Sequence, residues 1–177
     1  MFDASTAFLN FSWILPNLAM GGALSVEAAE RIAREHGIRH IVDLRLEDKD
    51  DEEELRRHGM TLLHLPTADL CAVSPEMLDH GVAWVSRHLR RGDKVFIHCQ
   101  YGIGRSALLV CCVLVSLGHT PSGALRLAKD SRPCVGPTPE QLDTLLAWSR
   151  RFRARAGEEP PPDTSEDLAR IAYSFPE

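Results

Sequence analysis

The spacing of apolar and polar positions changes several times along the chain, and each change marks an element. Residues 11–24 mix aromatic and aliphatic residues with Pro16 and the pair Gly21-Gly22, the pattern of a short edge strand or hairpin ending in a turn. Ser25 stands as a cap before a helical stretch at 26–36, which Gly37 stops. The segment Arg39-His40-Ile41-Val42-Asp43-Leu44 reads as a buried strand. A helix follows over about 51–58, with acids in its first turn, Arg56 and Arg57 in its last, and Gly59 as its stop. Residues 60–65 predict a strand closed by Pro66, and 67–74 a loop.

Ser74 and Pro75 open a long helix to about Arg91, and Gly92-Asp93 turns the chain into a short buried strand at 94–98. A Gly-containing loop leads into an apolar helix at 106–117. Further helices are predicted at 121–129 and from Thr138 or Pro139 to about Arg155. Strands alternating with helices predict an α/β fold with a sheet flanked by helices. Residues 157–163 are a Pro/Glu-rich linker. The tail beyond it is polar except for Leu168, Ile171, Tyr173 and Phe175, enough for one or two docked helical turns. The expected division is therefore a domain at 1–156 and a linker with tail at 157–177, without internal repeats.

Composition narrows the function classes. The 177 residues carry a net charge of −5, which disfavours a nucleic-acid-binding body, since phosphate neutralisation needs clustered Lys and Arg. The five cysteines, Cys71, Cys99, Cys111, Cys112 and Cys134, form no Cys-x2-Cys pair, so they read as reduced thiols of a cytoplasmic protein. The N-terminal stretch has no basic residue before Arg31, unlike a signal peptide. The longest apolar run, 107–115, is about half of the roughly 20 residues that span a membrane.

The chemistry concentrates in His98-Cys99-Gln100-Tyr101-Gly102-Ile103-Gly104-Arg105-Ser106. Its context of strand, Gly-containing loop and helix lets successive backbone N–H groups converge on an anion at a helix N-terminus. Gly102 and Gly104 permit the loop to curl around a tetrahedral anion. The planar fork of Arg105 can clamp two phosphate oxygens. Cys99, at the bottom of such an electropositive cup, becomes a thiolate nucleophile near neutral pH.

This pattern, His-Cys-x-x-Gly-x-x-Arg-Ser, resembles the signature loop of cysteine-dependent protein tyrosine phosphatases, and the short chain resembles their dual-specificity branch. The resemblance covers roughly residues 11–155 and implies a protein tyrosine phosphatase-like fold with a central, mostly parallel, twisted sheet. It implies that Cys99 attacks phosphorus in line, and that an Asp some thirty residues upstream protonates the leaving oxygen. Asp69, on the 67–74 loop, meets that spacing. Asp69 then serves as base for the water that hydrolyses the thiophosphoryl enzyme. Gln100, Tyr101, Gly102, Ile103, Gly104 and Arg105 are the expected phosphate-binding positions, and Ser106 the group that stabilises the Cys99 thiolate. His98 is expected to orient the loop through backbone hydrogen bonds.

Gln141 resembles in position a glutamine that some relatives place near the hydrolytic water, and reads equally as a surface residue in a helix's first turn. Arg132-Pro133 resembles a structural turn before the last helix. The expected partners are a phosphorylated protein or other phosphomonoester, and phosphate or other oxyanions in the loop, with no cofactor and no metal.

Other features have plainer readings. The 47–54 stretch, seven acids and one Lys, reads as a solvated face, and Arg45 as a partner for those acids. Arg150, Arg151, Arg153 and Arg155 complement a helix dipole or form a basic docking patch. Cys71 is close enough in sequence to Asp69 to suggest a protective disulfide with Cys99. The competing functions are a catalytically inert phosphate-binding relative, a low-molecular-weight phosphatase, a rhodanese-like sulfur transferase and an interaction module. Chain order disfavours the low-molecular-weight enzymes, and the presence of Cys99, Arg105 and Asp69 together disfavours the inert relative.

Overall fold

In a computed structural model, residues 10–174 are described. A hairpin of β1 (Phe11–Leu15) and β2 (Leu18–Gly21) leads to α1 (Val26–His36), β3 (His40–Arg45), α2 (Glu52–Arg57), β4 (Thr61–Thr67) and α3 (Pro75–Arg90). Then come β5 (Val95–His98), α4 (Arg105–Ser116), α5 (Pro121–Ser131), α6 (Pro139–Arg155) and α7 (Ser165–Ala172). The sheet order is β1-β2-β5-β3-β4, with only β1 and β2 antiparallel. This is the mostly parallel sheet flanked by helices that the sequence predicts.

Successive residues of the inner strands point to opposite faces, and both faces are covered. Leu18, Met20, Val42, Leu44, Val95 and Ile97 enter one core with α3, α4, α5 and α6. Ala19, Ile41 and Phe96 enter the other with α1 and α2. Two-sided burial explains why these strands read as continuous apolar runs. Helix α4 is buried from Arg105 through Val115, which accounts for the apolar run at 107–115 as the helix at the centre of the main core. Among the described residues no helix is long and apolar enough to cross a membrane.

Helix starts follow the predicted chemistry. Ser25, Asp51, Ser74, Thr120 and Thr138 each accept a backbone N–H with their side chains. One boundary differs in a way that matters. Strand β4 does not stop before Pro66 but runs through it to Thr67, which pairs with Arg45. An edge strand tolerates proline because one side of its backbone has no ladder to supply, and β4 is the sheet's last strand. The extension carries the Thr67 carbonyl to Arg105, beside the loop at 99–104.

The tail joins the main core. Leu168, Ile171 and Ala172 of α7 are buried there, and the Tyr173 hydroxyl donates to the Pro137 carbonyl at 2.7 Å. Asp163, in the linker, accepts the Ser122 N–H at the start of α5. Phe175 lies outside the described residues.

Candidate active site

Strand β5 ends at His98 and α4 begins at Arg105, so residues 99–104 form the turn between them. Gly104 is the N-cap of α4 and provides no side-chain cap. The first N–H groups of this helix are therefore free to meet an anion. Gly102 has φ +68°, and a Cβ there would lie 2.4 Å from the backbone of Gly21. Both the angle and the packing on β2 require glycine at that turn.

The Cys99 sulfur is buried at the bottom of this loop. The Ser106 Oγ lies 3.3 Å from Sγ, and the Gly102 N–H donates to it at 3.3 Å. Burial is the largest influence and opposes the thiolate. The Ser106 hydroxyl and the amides of Ser106, Gly102 and Ile103 together outweigh it, and the thiol is held below its ordinary range. Cys111 and Cys112 have burial without such donors, and burial pushes Cys111 up to about 12.

Arg105 is 1% exposed. Its Nη1 donates to Glu47 Oε2 at 2.7 Å and to the Thr67 carbonyl at 2.8 Å. Its Nη2 donates to Glu47 Oε1 at 2.7 Å and pairs with Asp69 Oδ1 at 3.1 Å. Its Nε–H is buried and has no partner among the described residues. The bond from Arg105 pulls the Glu47 carboxyl down to about 2. The cavity above the sulfur is lined by Asp69, Leu70, Tyr101, Ile103, Gly136 and Thr138, along with Cys99, Gly104, Arg105 and Gln141. Cys99, Arg105 and Asp69 thus share one cavity.

His98 is fully buried. Its Nδ1 lies 3.2 Å from the Cys99 carbonyl and its Nε2 2.6 Å from Asp50 Oδ2. A doubly protonated ring donates to both acceptors at once. Burial is the largest influence and opposes that charge, but Asp50 and Asp43 reverse the balance and hold its pKa above the ordinary value. Asp43, also fully buried, accepts from Arg45 and from the Asp50 N–H.

Two expectations need correction here, those for Gln141 and for the acidic run. Of the expected phosphate-binding positions, Gln100 has its carbonyl on the Ala23 N–H and its side chain toward Arg45, and the Gly102 N–H points at Sγ. Gln141 is not a surface residue but is 1% exposed. Its Oε1 accepts the Thr138 N–H and its Nε2 donates to the Cys71 carbonyl at 2.9 Å, tying α6 to the loop that carries Asp69. The acidic run is not wholly a solvated face. Glu52 and Glu53 are exposed and pair with Arg56 and Arg57, whereas Glu47, itself exposed at 40%, reaches onto Arg105 and Asp50 turns inward onto His98.

Sequence reasoning did not foresee Glu47 and Asp50 as parts of the site. Their only sequence signal is their place just after the strand that lies beside β5. Arg132 is likewise more than part of a turn. It donates to the carbonyls of Gly102 and Tyr101 at 2.8 and 2.9 Å and is buttressed by Asn10. With these carbonyls drawn outward, the loop keeps its N–H groups for the cup.

The residue pattern and the fold both have counterparts among known proteins. Residues 23–151 match the family model described as the dual specificity phosphatase catalytic domain. The human protein named phosphatidylglycerophosphatase and protein-tyrosine phosphatase 1 is 27% identical over 143 residues, spanning 76% of this chain and 71% of that one. Dual specificity protein phosphatase 19 of Mus musculus is 24% identical over 166 residues, spanning 92% of this chain and 73% of that one. The crystal structure of Tk-PTP in its active form superposes with a TM-score of 0.73 at 28% identity, covering 80% of this chain and 97% of that one.

Proposed function

The chain belongs to the dual specificity phosphatase family and is a cysteine-dependent hydrolase of phosphomonoesters, and we propose that Cys99, Arg105, Asp69 and Ser106 carry its chemistry on phosphotyrosine, with phosphoserine and phosphothreonine as further substrates. The observation that carries this reading is the one cavity that Cys99, Arg105 and Asp69 line together, with the Arg105 Nε–H buried and without a partner among the described residues. A buried donor left unsatisfied costs about 1–3 kcal/mol, and a phosphoryl oxygen in the cup supplies the missing acceptor.

In this mechanism the Cys99 thiolate attacks phosphorus. The P–O ester bond breaks as Asp69 delivers a proton to the departing oxygen, leaving a phosphocysteine. Water then attacks phosphorus, giving up a proton to Asp69, and the P–S bond breaks to return the thiolate, which accepts the Ser106 hydroxyl proton as a hydrogen bond. The loop amides and Arg105 balance the charge on the three equatorial oxygens throughout. Glu47, His98 and Arg132 are positioning residues. Gln141, with both ends of its amide engaged, positions the Asp69 loop through Cys71.

The rim of the cavity favours an aryl ester. Leu70, Tyr101 and Ile103 are 70%, 61% and 40% exposed, an apolar collar suited to the ring of phosphotyrosine. Leu70 adopts φ +63°, an unusual conformation for leucine that displays its side chain at the mouth. The same collar favours a second reading, a lipid with one terminal phosphomonoester, the kind of substrate in the human relative's name. Among the described residues Arg105 is the sole cation lining the cavity, which argues against multiply phosphorylated headgroups.

The test is hydrolysis of para-nitrophenyl phosphate, phosphotyrosyl and phosphoseryl peptides, and phosphatidylglycerophosphate in mixed micelles. Wild type should favour the phosphotyrosyl peptide, Cys99→Ser should be inactive, and Asp69→Ala should retain substrate while turning over slowly. A preference for the lipid in kcat/KM selects the second reading, and activity that survives Cys99→Ser overturns both.

A further inference from the structure

At the other end of β3 and β5 from the catalytic loop, three metal-ligating side chains from three elements converge. His40 opens β3, His88 lies in the last turn of α3, and Asp93 lies in the turn entering β5. His40 Nε2 is 3.3 Å and His88 Nδ1 is 3.2 Å from the same oxygen, Asp93 Oδ2. All three ligand atoms lie within 4.8 Å of one another. These separations are long for charge-assisted hydrogen bonds. They match the ligand–ligand edge of a tetrahedral zinc ion, about 3.3–3.4 Å for bonds of ~2.0–2.1 Å.

We propose that His40, His88 and Asp93 bind one divalent transition-metal ion of the zinc type, with water in the fourth position. The ion clips the start of β3 and the end of α3 to the turn that enters β5. The surroundings have the character of a metal site. His40 Nδ1 lies 2.8 Å from Thr61 Oγ1, and a proton on Nδ1 bonded there leaves Nε2 with its lone pair for the ion.

Trp84 stands edge-on to both imidazoles, with centroids at 5.7 and 4.5 Å. The three side chains are 13%, 14% and 36% exposed, so solvent reaches the fourth position. Two neighbouring cations donate to carbonyls: Lys94 Nζ to that of His36, and Arg39 to those of Ala33 and Ile38. The two imidazole rings stack at 3.6 Å, and coordination must tilt them apart so that both lone pairs meet the ion.

The test uses untagged protein with Cys71, Cys99 and Cys134 changed to serine, so that the remaining thiols, Cys111 and Cys112, are buried. Zn2+ is titrated calorimetrically, and Co2+ is followed by its visible absorption. One equivalent should bind with a Kd in the micromolar range or tighter. His88→Ala and Asp93→Asn should abolish that binding, and Thr61→Val should weaken it by about tenfold. Of the eight histidines, His40 and His88 should show the ring-proton NMR shifts on Zn2+ addition. Asp93→Asn, on a surface turn, keeps the test valid if a histidine variant fails to fold. Folded parent protein without saturable binding, binding that persists in Asp93→Asn, or shifts centred on other histidines would overturn the site.

Discussion

Glu47 grips Arg105 from 58 positions upstream, with each carboxylate oxygen 2.7 Å from a different terminal nitrogen of the guanidinium. This bidentate pair holds the fork in one plane. Nε is then the N–H left over for a substrate oxygen. Glu47→Gln should keep the fold and lower kcat/KM by about tenfold to a hundredfold, since a misplaced catalytic group costs on that order. Steady-state kinetics beside a melting curve separates the two effects. The carboxyl sits at about 2 in the folded state against an ordinary 4.5. Its contribution to stability is thus present above about pH 4.5 and is lost as pH falls toward 2. Glu47→Gln should flatten acid unfolding across that window.

His98 and Asp50 give a dependence of opposite sign. The folded-state pKa of His98 is raised, with the Asp50 carboxylate as the main favourable cause after burial is overcome. Its stabilisation is complete below the ordinary histidine range near 6.5 and is lost as pH rises through the higher folded value. Asp50→Asn removes the charge partner and should reduce the fall in stability between pH 6 and pH 9. Urea denaturation of both proteins at the two pH values measures it. An unchanged pH slope would show that Asp50 does not hold the imidazolium.

Cys99 should be the first thiol to react. Its thiolate is favoured by Ser106, Gly102 and Ile103, whereas burial keeps Cys111 protonated up to about 12. Iodoacetate at pH 6.5 should alkylate Cys99 well before Cys111 or Cys112, read by peptide mass mapping. Ser106→Ala should move the pH midpoint of Cys99 alkylation upward. It should also slow breakdown of the phosphocysteine more than its formation, visible as a larger burst in rapid-quench kinetics.

Arg132 supports the loop from behind through the carbonyls of Tyr101 and Gly102. Arg132→Ala should cost about 1–3 kcal/mol in chemical denaturation, the range for carbonyls stripped of buried partners. It should also weaken inhibition by vanadate. Arg132→Lys should restore little, because an ammonium cannot span two carbonyls in one plane. Full vanadate sensitivity in Arg132→Ala would mean that the loop holds its shape without this brace.

Much of the molecule is written locally. Helix caps such as Ser25, Ser74 and Thr138, the stop at Gly37 and the run 98–106 carry their meaning within a few residues. Caps, turns and loops between strand and helix are short-range devices made from backbone angles and adjacent donors, so the α/β order and the gathering of a thiol, two glycines and a guanidinium on one loop were readable. What the chain order left open was which distant group meets which. Placing β5 between β2 and β3 sets the end of β3 beside Cys99, and this alone selects Glu47 and Asp50 from seven similar acids. The same sheet order puts Arg132 against the loop through β1 and brings His40, His88 and Asp93 to one oxygen. Strand alternation tells which side of a sheet a residue faces. Its neighbour across the sheet is decided by burying both faces at once, a condition met by the whole fold rather than by any one segment.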